Sequence, residues 1–300
     1  MKSNNSKNTR EMINMPSFKE IENENNPKNT IIKYLKEYHE KTGRNVIVYS
    51  SSFLTKENEE IYIDDFDKNG FMTMIKDLDK TIGLDLILHT PGGSIDATES
   101  IIDYLHAVFG DNIRAIVPQI SMSGGTMIAC SCKEIIMGKH SSLGPVDPQI
   151  GIFSAQNIIK EFELAKKEIT EQPETIPFWT ILLDKYPENM LIECENAIKW
   201  SEYILEKSLR YSMFKDGNQK KIDKIKYDLI SGSTTKNHSQ NLSAKKCKEI
   251  GLKIKYLEDD KELQDLILSI HHACISYFIH KNKDKLFVNQ NGEYLAIKTE

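Results

Sequence analysis

Residues 84–97 read LDLILHTPGGSIDA, and residues 113–129 read IRAIVPQISMSGGTMIA. Each is a short aliphatic run, then a turn containing glycine, then a segment with helical spacing, so each reads as strand, turn and helix. Around them lie further runs of the same kind. NVIVYSS (45–51) reads as a buried strand preceded by a helix over 31–42, and EIIM (134–137) as another strand. Helices are expected over 64–80, over 96–109 ending at Gly110, and over 122–132, the last one buried and built of small residues. Strand and helix in alternation predict an α/β fold around a parallel sheet.

From about residue 154 the character changes. Helical patterns cover 154–169, 177–184, 187–214, 219–231, 243–250 and 258–281, rich in charge and poor in glycine. Asn291-Gly292 between two apolar runs is a hairpin signal. Trp200, Tyr203, Ile204, Leu205, Leu209, Tyr211, Met213 and Phe214 give the 187–214 helix enough apolar surface to face the core. The organisation expected is a flexible tail over 1–28, an α/β domain over 29–252 with a helical insertion at about 154–231, and a C-terminal helix plus hairpin over 253–300.

Composition bounds the function. The 300 residues hold 39 basic and 44 acidic side chains, a net charge of −5, which gives no footprint for nucleic acid. No apolar run reaches the roughly 18–20 residues of a membrane span, and residues 1–18 hold no apolar stretch of signal-peptide length. Five cysteines, an odd number, fit reduced thiols and a cytoplasmic chain. Nine of the fifteen glycines and four of the nine prolines fall within 83–151, so the backbone turns tightly there and the site is sought there.

Ser123 stands before Gly124-Gly125 at a strand-to-helix turn, where a hydroxyl can be exposed as a nucleophile; Ser121 is its local competitor. Gly92-Gly93, one strand away, can present main-chain N–H groups to a developing oxyanion, and the Gly124 N–H would be another donor. The same residues also suit a plain turn and a helix cap. Asp147, held between Pro145 and Pro148 in LGPVDPQIG (143–151), is a stiffly mounted carboxylate that could orient a histidine, or a simple turn former. Cys130 and Cys132 lack the second pair that zinc would need and read as small buried residues. Walker and dinucleotide fingerprints are absent.

Taken together, HTPGGSIDA, SMSGGTMIA and LGPVDPQIG resemble the Clp-protease/crotonase superfamily, and within it the serine dehydrogenase proteinase family, related to signal peptide peptidase A. The likeness extends more weakly to NHSQNLSAKKCKEIGL (237–252) and HHACISYF (271–278). It implies a ClpP-like β/α spiral with serine-peptidase chemistry, Ser123 as nucleophile, an oxyanion hole at Gly92, Gly93 and Gly124, and a triad in the chain order Ser, Asp, His. Asp147 and His238 fit its later members. It implies no metal and no cofactor, a peptide or protein substrate, and a homo-oligomer.

The base stays open between His238, His140 and a lysine of a Ser–Lys dyad (Lys139, Lys160, Lys166 or Lys167), since signal peptide peptidase relatives use lysine. His89 is expected to be structural, His39 and His106 to fill helix faces, and His271, His272 and His280 to pack. Two other readings keep the fold: an inactive scaffold that binds peptide or membrane-protein partners, with peripheral membrane association, and crotonase-type acyl-CoA chemistry, against which Ser123 argues.

Overall fold

Leu84, Leu86 and Leu88 point to one face of their strand, and Asp85, Ile87 and His89 to the other, so this strand must be covered on both sides. The computed structural model describes residues 27–56, 59–151, 153–231 and 240–298, and it builds three layers around that strand. The elements run in chain order α1 (Pro27–Thr42), β1 (Asn45–Ser51), α2 (Asp67–Ile75), β2 (Leu84–His89), α3 (Ile95–Phe109), β3 (Ile113–Val117), β4 (Ile120–Ser121), α4 (Gly124–Cys130), β5 (Glu134–Met137) and β6 (Ser142–Leu143). They continue with β7 (Gln149–Ile150), β8 (Phe153–Ser154), α5 (Ala155–Glu171), α6 (Ile176–Leu183), α7 (Met190–Tyr211), α8 (Gln219–Lys226), β9 (Leu242–Ser243), α9 (Ala244–Ile250), β10 (Ile254–Tyr256), α10 (Lys261–Lys281), β11 (Lys285–Asn289) and β12 (Tyr294–Ile297).

The central sheet has the order β10-β5-β3-β2-β1-β11-β12. The first five strands are parallel, with Ser50 beside His89 and Ile87 beside Ile116. The hairpin expected at Asn291-Gly292 forms, and its first strand lies antiparallel against β1. The sheet is therefore mixed rather than purely parallel. Residues 253–298 supply three of the seven strands of this layer and the helix α10 that covers one face.

Alternate residues of the strands feed two cores. Val46, Val48, Ile87 and Ile116 pack on α1 and α10. Ile47, Tyr49, Leu86, Leu88 and Ala115 pack on α2, α3 and α4, with Leu205 and Leu209 of α7 closing that side. Asp85, fully buried, is held by hydrogen bonds from Tyr38, Arg44 and Arg114. All five cysteines are free and buried; burial pushes the Cys132 thiol up to about 12.

Several expected helices are shorter in the structure. The 64–80 segment is helical only over Asp67–Ile75, because Asp64 accepts the Phe66 and Asp67 amides and so fixes the start. Asp79 caps a separate short turn through the Thr81 amide. The 122–132 segment begins at Gly124, since Ser123 is not helical. The 219–231 segment leaves the α-helix after Lys226 for a π turn, whose Leu229 carbonyl accepts the Val146 amide (2.9 Å). In the long helix α7, Ile204, Leu205 and Leu209 are buried, whereas Trp200, Tyr203 and Tyr211 keep exposed surface.

Candidate active site

Three two-residue strands frame the site. β4 runs parallel to β6, with Ser121 beside Leu143, and β6 runs antiparallel to β9, with Leu143 beside Leu242. The Ser123 turn leaves β4 two residues on, and the Asp147 loop leaves β6 four residues on. Thr126 ties the two together: its hydroxyl lies 2.9 Å from the Ser121 carbonyl and 3.0 Å from the Gly144 carbonyl, and accepts the Gly144 amide at 3.0 Å.

Ser123 has φ 47° and ψ −114°, a left-handed backbone that side chains other than glycine rarely adopt. The strain accompanies a change from strand to helix within a single residue: the Gly125 amide closes on the Met122 carbonyl (2.8 Å) and the Met127 amide on the Ser123 carbonyl (3.0 Å). The Ser123 side chain is half-buried. Ser121 is fully buried, so the local competitor sits inside the fold and does not reach the cavity.

The glycine turn lies directly against this serine. Thr90 and Ser121 pair across the strand ends, with the Met122 amide donating to the Thr90 carbonyl (2.9 Å). Gly92 has φ +94°, and a Cβ there would stand 2.7 Å from both the Met122 carbonyl oxygen and the Ser123 Cβ, so only glycine fits. Gly93 pairs with Ile63, whose backbone would collide with any Cβ at that position. A Cβ on Gly124 would lie 3.5 Å from the Gly93 nitrogen, so these two amides sit close together.

Among the described residues neither the Gly93 nor the Gly124 N–H has an acceptor. The Gly92 N–H is already given to the Thr90 hydroxyl (3.2 Å), so Gly92 contributes close approach rather than a donor. Ser123, Gly93, Gly124 and Asp147 all line one cavity of about 940 Å³. Asp147 is buried, with the Gln149 side-chain amide donating to its carboxylate (2.9 Å).

His238 lies outside the described residues; Asn241, three positions later, lines the cavity. His140 is exposed and does not line it, and neither do the exposed Lys139, Lys160, Lys166 and Lys167. The described cavity lining therefore supplies no base for a Ser–Lys dyad. His89 turns away into the fold, packed against Phe53 and His271 with ring centroids 4.7 Å away in each case. Burial outweighs the interaction of its ring with the Ile120 backbone and holds it neutral, its pKa pushed down to about 3. His271 meets the Gln119 side chain at 3.0 Å and is likewise held neutral by burial. His106 stacks on Tyr211.

Sequence reasoning missed one wall of the cavity. Glu193, Asn196, Ala197, Trp200 and Ser201 line it from α7, at positions i, i+3, i+4, i+7 and i+8, which is one helix face. That spacing was legible in the sequence, but which way the face pointed was not.

The model of the ClpP-like SDH-type serine proteinase family matches residues 58–269. The chain belongs to that family, and its fold is the ClpP-like α/β fold. Two uncharacterized proteins of Methanocaldococcus jannaschii are similar to it, one 30% and the other 32% identical over 189 residues. In each case the match covers 63% of this chain, and 59% and 57% of the respective relative, so less than two thirds of either relative is spanned. Among the described residues no helix is long and apolar enough to cross a membrane.

Proposed function

We propose that the chain is a serine peptidase that cleaves peptide bonds in peptides or protein segments by acyl transfer through Ser123. The observation that carries this reading is the Ser123 turn itself: a left-handed serine at a cavity wall, opposite two neighbouring amides with no acceptor among the described residues. Strained backbone concentrates where function requires it, and paired N–H donors of this kind stabilise the oxyanion of a tetrahedral intermediate.

In the proposed cycle the Ser123 Oγ attacks the scissile carbonyl carbon as its proton passes to a base. The carbonyl oxygen becomes an oxyanion held by the Gly93 and Gly124 N–H groups. The C–N bond breaks as the base returns the proton to the leaving amine. Water then hydrolyses the acyl-serine by the same path. His238 is proposed as the base and Asp147 as the carboxylate that orients it. The antiparallel pairing of Leu143 with Leu242 supports this: forward from Leu143 the chain leads to Asp147, and backward from Leu242, past the cavity-lining Asn241, it leads to 238.

A fluorophosphonate probe should label the protein at Ser123, as read by peptide mass spectrometry, and Ser123→Ala should abolish labelling and casein turnover without changing the thermal unfolding curve. Labelling that persists on another serine in the variant refutes the assignment. His238→Ala should lower the labelling rate by about a hundredfold or more; an unchanged rate removes His238 from the mechanism and leaves the nucleophile standing.

A further inference from the structure

The charge of the cavity is one-sided. Asp96 stands on the wall formed by the first turn of α3, Glu193 on the wall formed by the first turn of α7, and Asp147 lies buried. The described lining residues include no lysine, arginine or histidine. Asp96 and Glu193 are exposed, and neither has an ion-pair partner among the described residues. Each sits in the first turn of a helix, whose dipole offsets about half a charge. The remainder is uncompensated negative potential inside a concave space, where field lines are focused.

A second feature of the α7 wall points to a ligand. Ser201 is 1% exposed and lines the cavity, and its hydroxyl has no hydrogen-bond partner among the described residues. A buried hydroxyl left unpaired costs free energy, which a bound polar group would recover. Ile95, Met122, Met127, Val146 and Ile150 give the lining apolar surface beside the uncharged polar groups of Ser94, Gln149, Asn196 and Asn241.

From these features we infer that the α7 face and Asp96 select substrate: the cavity takes polypeptide segments that carry a basic side chain among apolar ones and disfavours acidic segments. This rests on the reading of the cavity as the substrate site of a peptidase. Glu193 and Asp96 are its specificity residues, and they do no chemistry. A cationic side chain meets two carboxylates with no cation among the described lining residues to displace, whereas an acidic one meets like charge, and its desolvation is not offset.

The test uses the full chain carrying Ser123→Ala, so that binding is read without turnover. Three peptides with an uncharged fluorophore differ at one position between leucines, where they hold arginine, norleucine or glutamate; affinities are measured by fluorescence anisotropy. The arginine peptide should bind at least about fivefold tighter than the glutamate peptide at low salt, with the gap narrowing at about 0.5 M salt. Adding Asp96→Asn and Glu193→Gln should bring the arginine-to-glutamate ratio below about two while leaving the norleucine affinity within about twofold. Equal affinities for the three peptides, a ratio unchanged in the combined variant, or no binding of any peptide would overturn the inference. Failure of the peptidase reading shows itself separately, as loss of fluorophosphonate labelling at Ser123 in the unsubstituted protein.

Discussion

Replacing Gly92 by alanine tests the apposition on which the site depends. The alanine meets two penalties. Its backbone must hold φ +94°, which costs an L residue about 1–2 kcal/mol. Its Cβ must also fit 2.7 Å from the Met122 carbonyl oxygen, 2.7 Å from the Ser123 Cβ and 2.9 Å from the Gly124 nitrogen. None of these is the far end of a flexible side chain, so the turn itself has to move, which adds about 1–3 kcal/mol.

Gly43 provides the control. It has φ +64° at the end of α1, and a Cβ there would meet no atom within 4 Å, so Gly43→Ala carries the backbone penalty alone. With an unfolding entropy of about 2.1 cal/mol/K per residue, a chain of this size loses about 1.6 °C of Tm per kcal/mol. Gly43→Ala should therefore cost about 2–3 °C and Gly92→Ala about 3–8 °C by circular dichroism. The movement needed at Gly92 also displaces the Gly93 and Gly124 amides, and loss of one oxyanion donor is worth about 10²–10³ in rate. Gly92→Ala should thus slow fluorophosphonate labelling by at least about a hundredfold while Gly43→Ala leaves it unchanged. If both variants lose the same stability and label at the same rate, the close packing of the two turns is wrong.

Three further outcomes follow from other parts of the molecule. The pKa of His89 falls from 6.5 unfolded to about 3 folded, so below pH 6.5 the unfolded state binds the extra proton; stability should drop by about 2 kcal/mol between pH 6.5 and 5 on account of His89 alone, with His271 adding to the loss. Urea midpoints at pH 7 and 5 should show this drop, and His89→Leu should reduce it; an undiminished drop in the variant removes His89 as its source. Asp85→Ala leaves Arg44 and Arg114 facing each other without their buried carboxylate and should cost about 3–5 kcal/mol in a denaturant titration, so a cost below about 1 kcal/mol contradicts the buried network. Thr126→Val keeps the shape of the side chain but removes the hydroxyl between Ser121 and Gly144; it should cost about 1–3 kcal/mol and slow labelling of Ser123, and an unchanged labelling rate would show that Thr126 does not hold the two loops in register.

The strands at 45–51, 84–89, 113–117 and 134–137 and the hairpin at Asn291-Gly292 were legible because period, composition and turn chemistry are local properties. So was Ser123 as the candidate: glycines cluster where backbone must approach backbone closely, and Gly92 does approach Ser123. Helix ends were less legible. Asp64 and Asp79 look like ordinary helix residues in a charged run, and only their hydrogen bonds show that Asp64 holds the turn before the helix and that Asp79 caps a short turn of its own. The mixed character of the sheet was hidden too, since an isolated hairpin reads the same whether it lies on an edge or against β1.

By itself, then, the sequence determined the alternation of strand and helix, the two glycine turns and the serine between them, all of which are encoded within a dozen neighbouring residues. Only the tertiary structure decided which residues share a cavity. β4, β6 and β9 are two residues long, too short to carry a period, yet their pairing sets the Ser123 turn beside the loop of Asp147 and aligns both with Leu242, about a hundred residues further on. The polar face of α7 has its meaning only because the helix packs there. Such pairings depend on closing long loops and on the fit of distant surfaces, and neither is written in any local stretch of the chain.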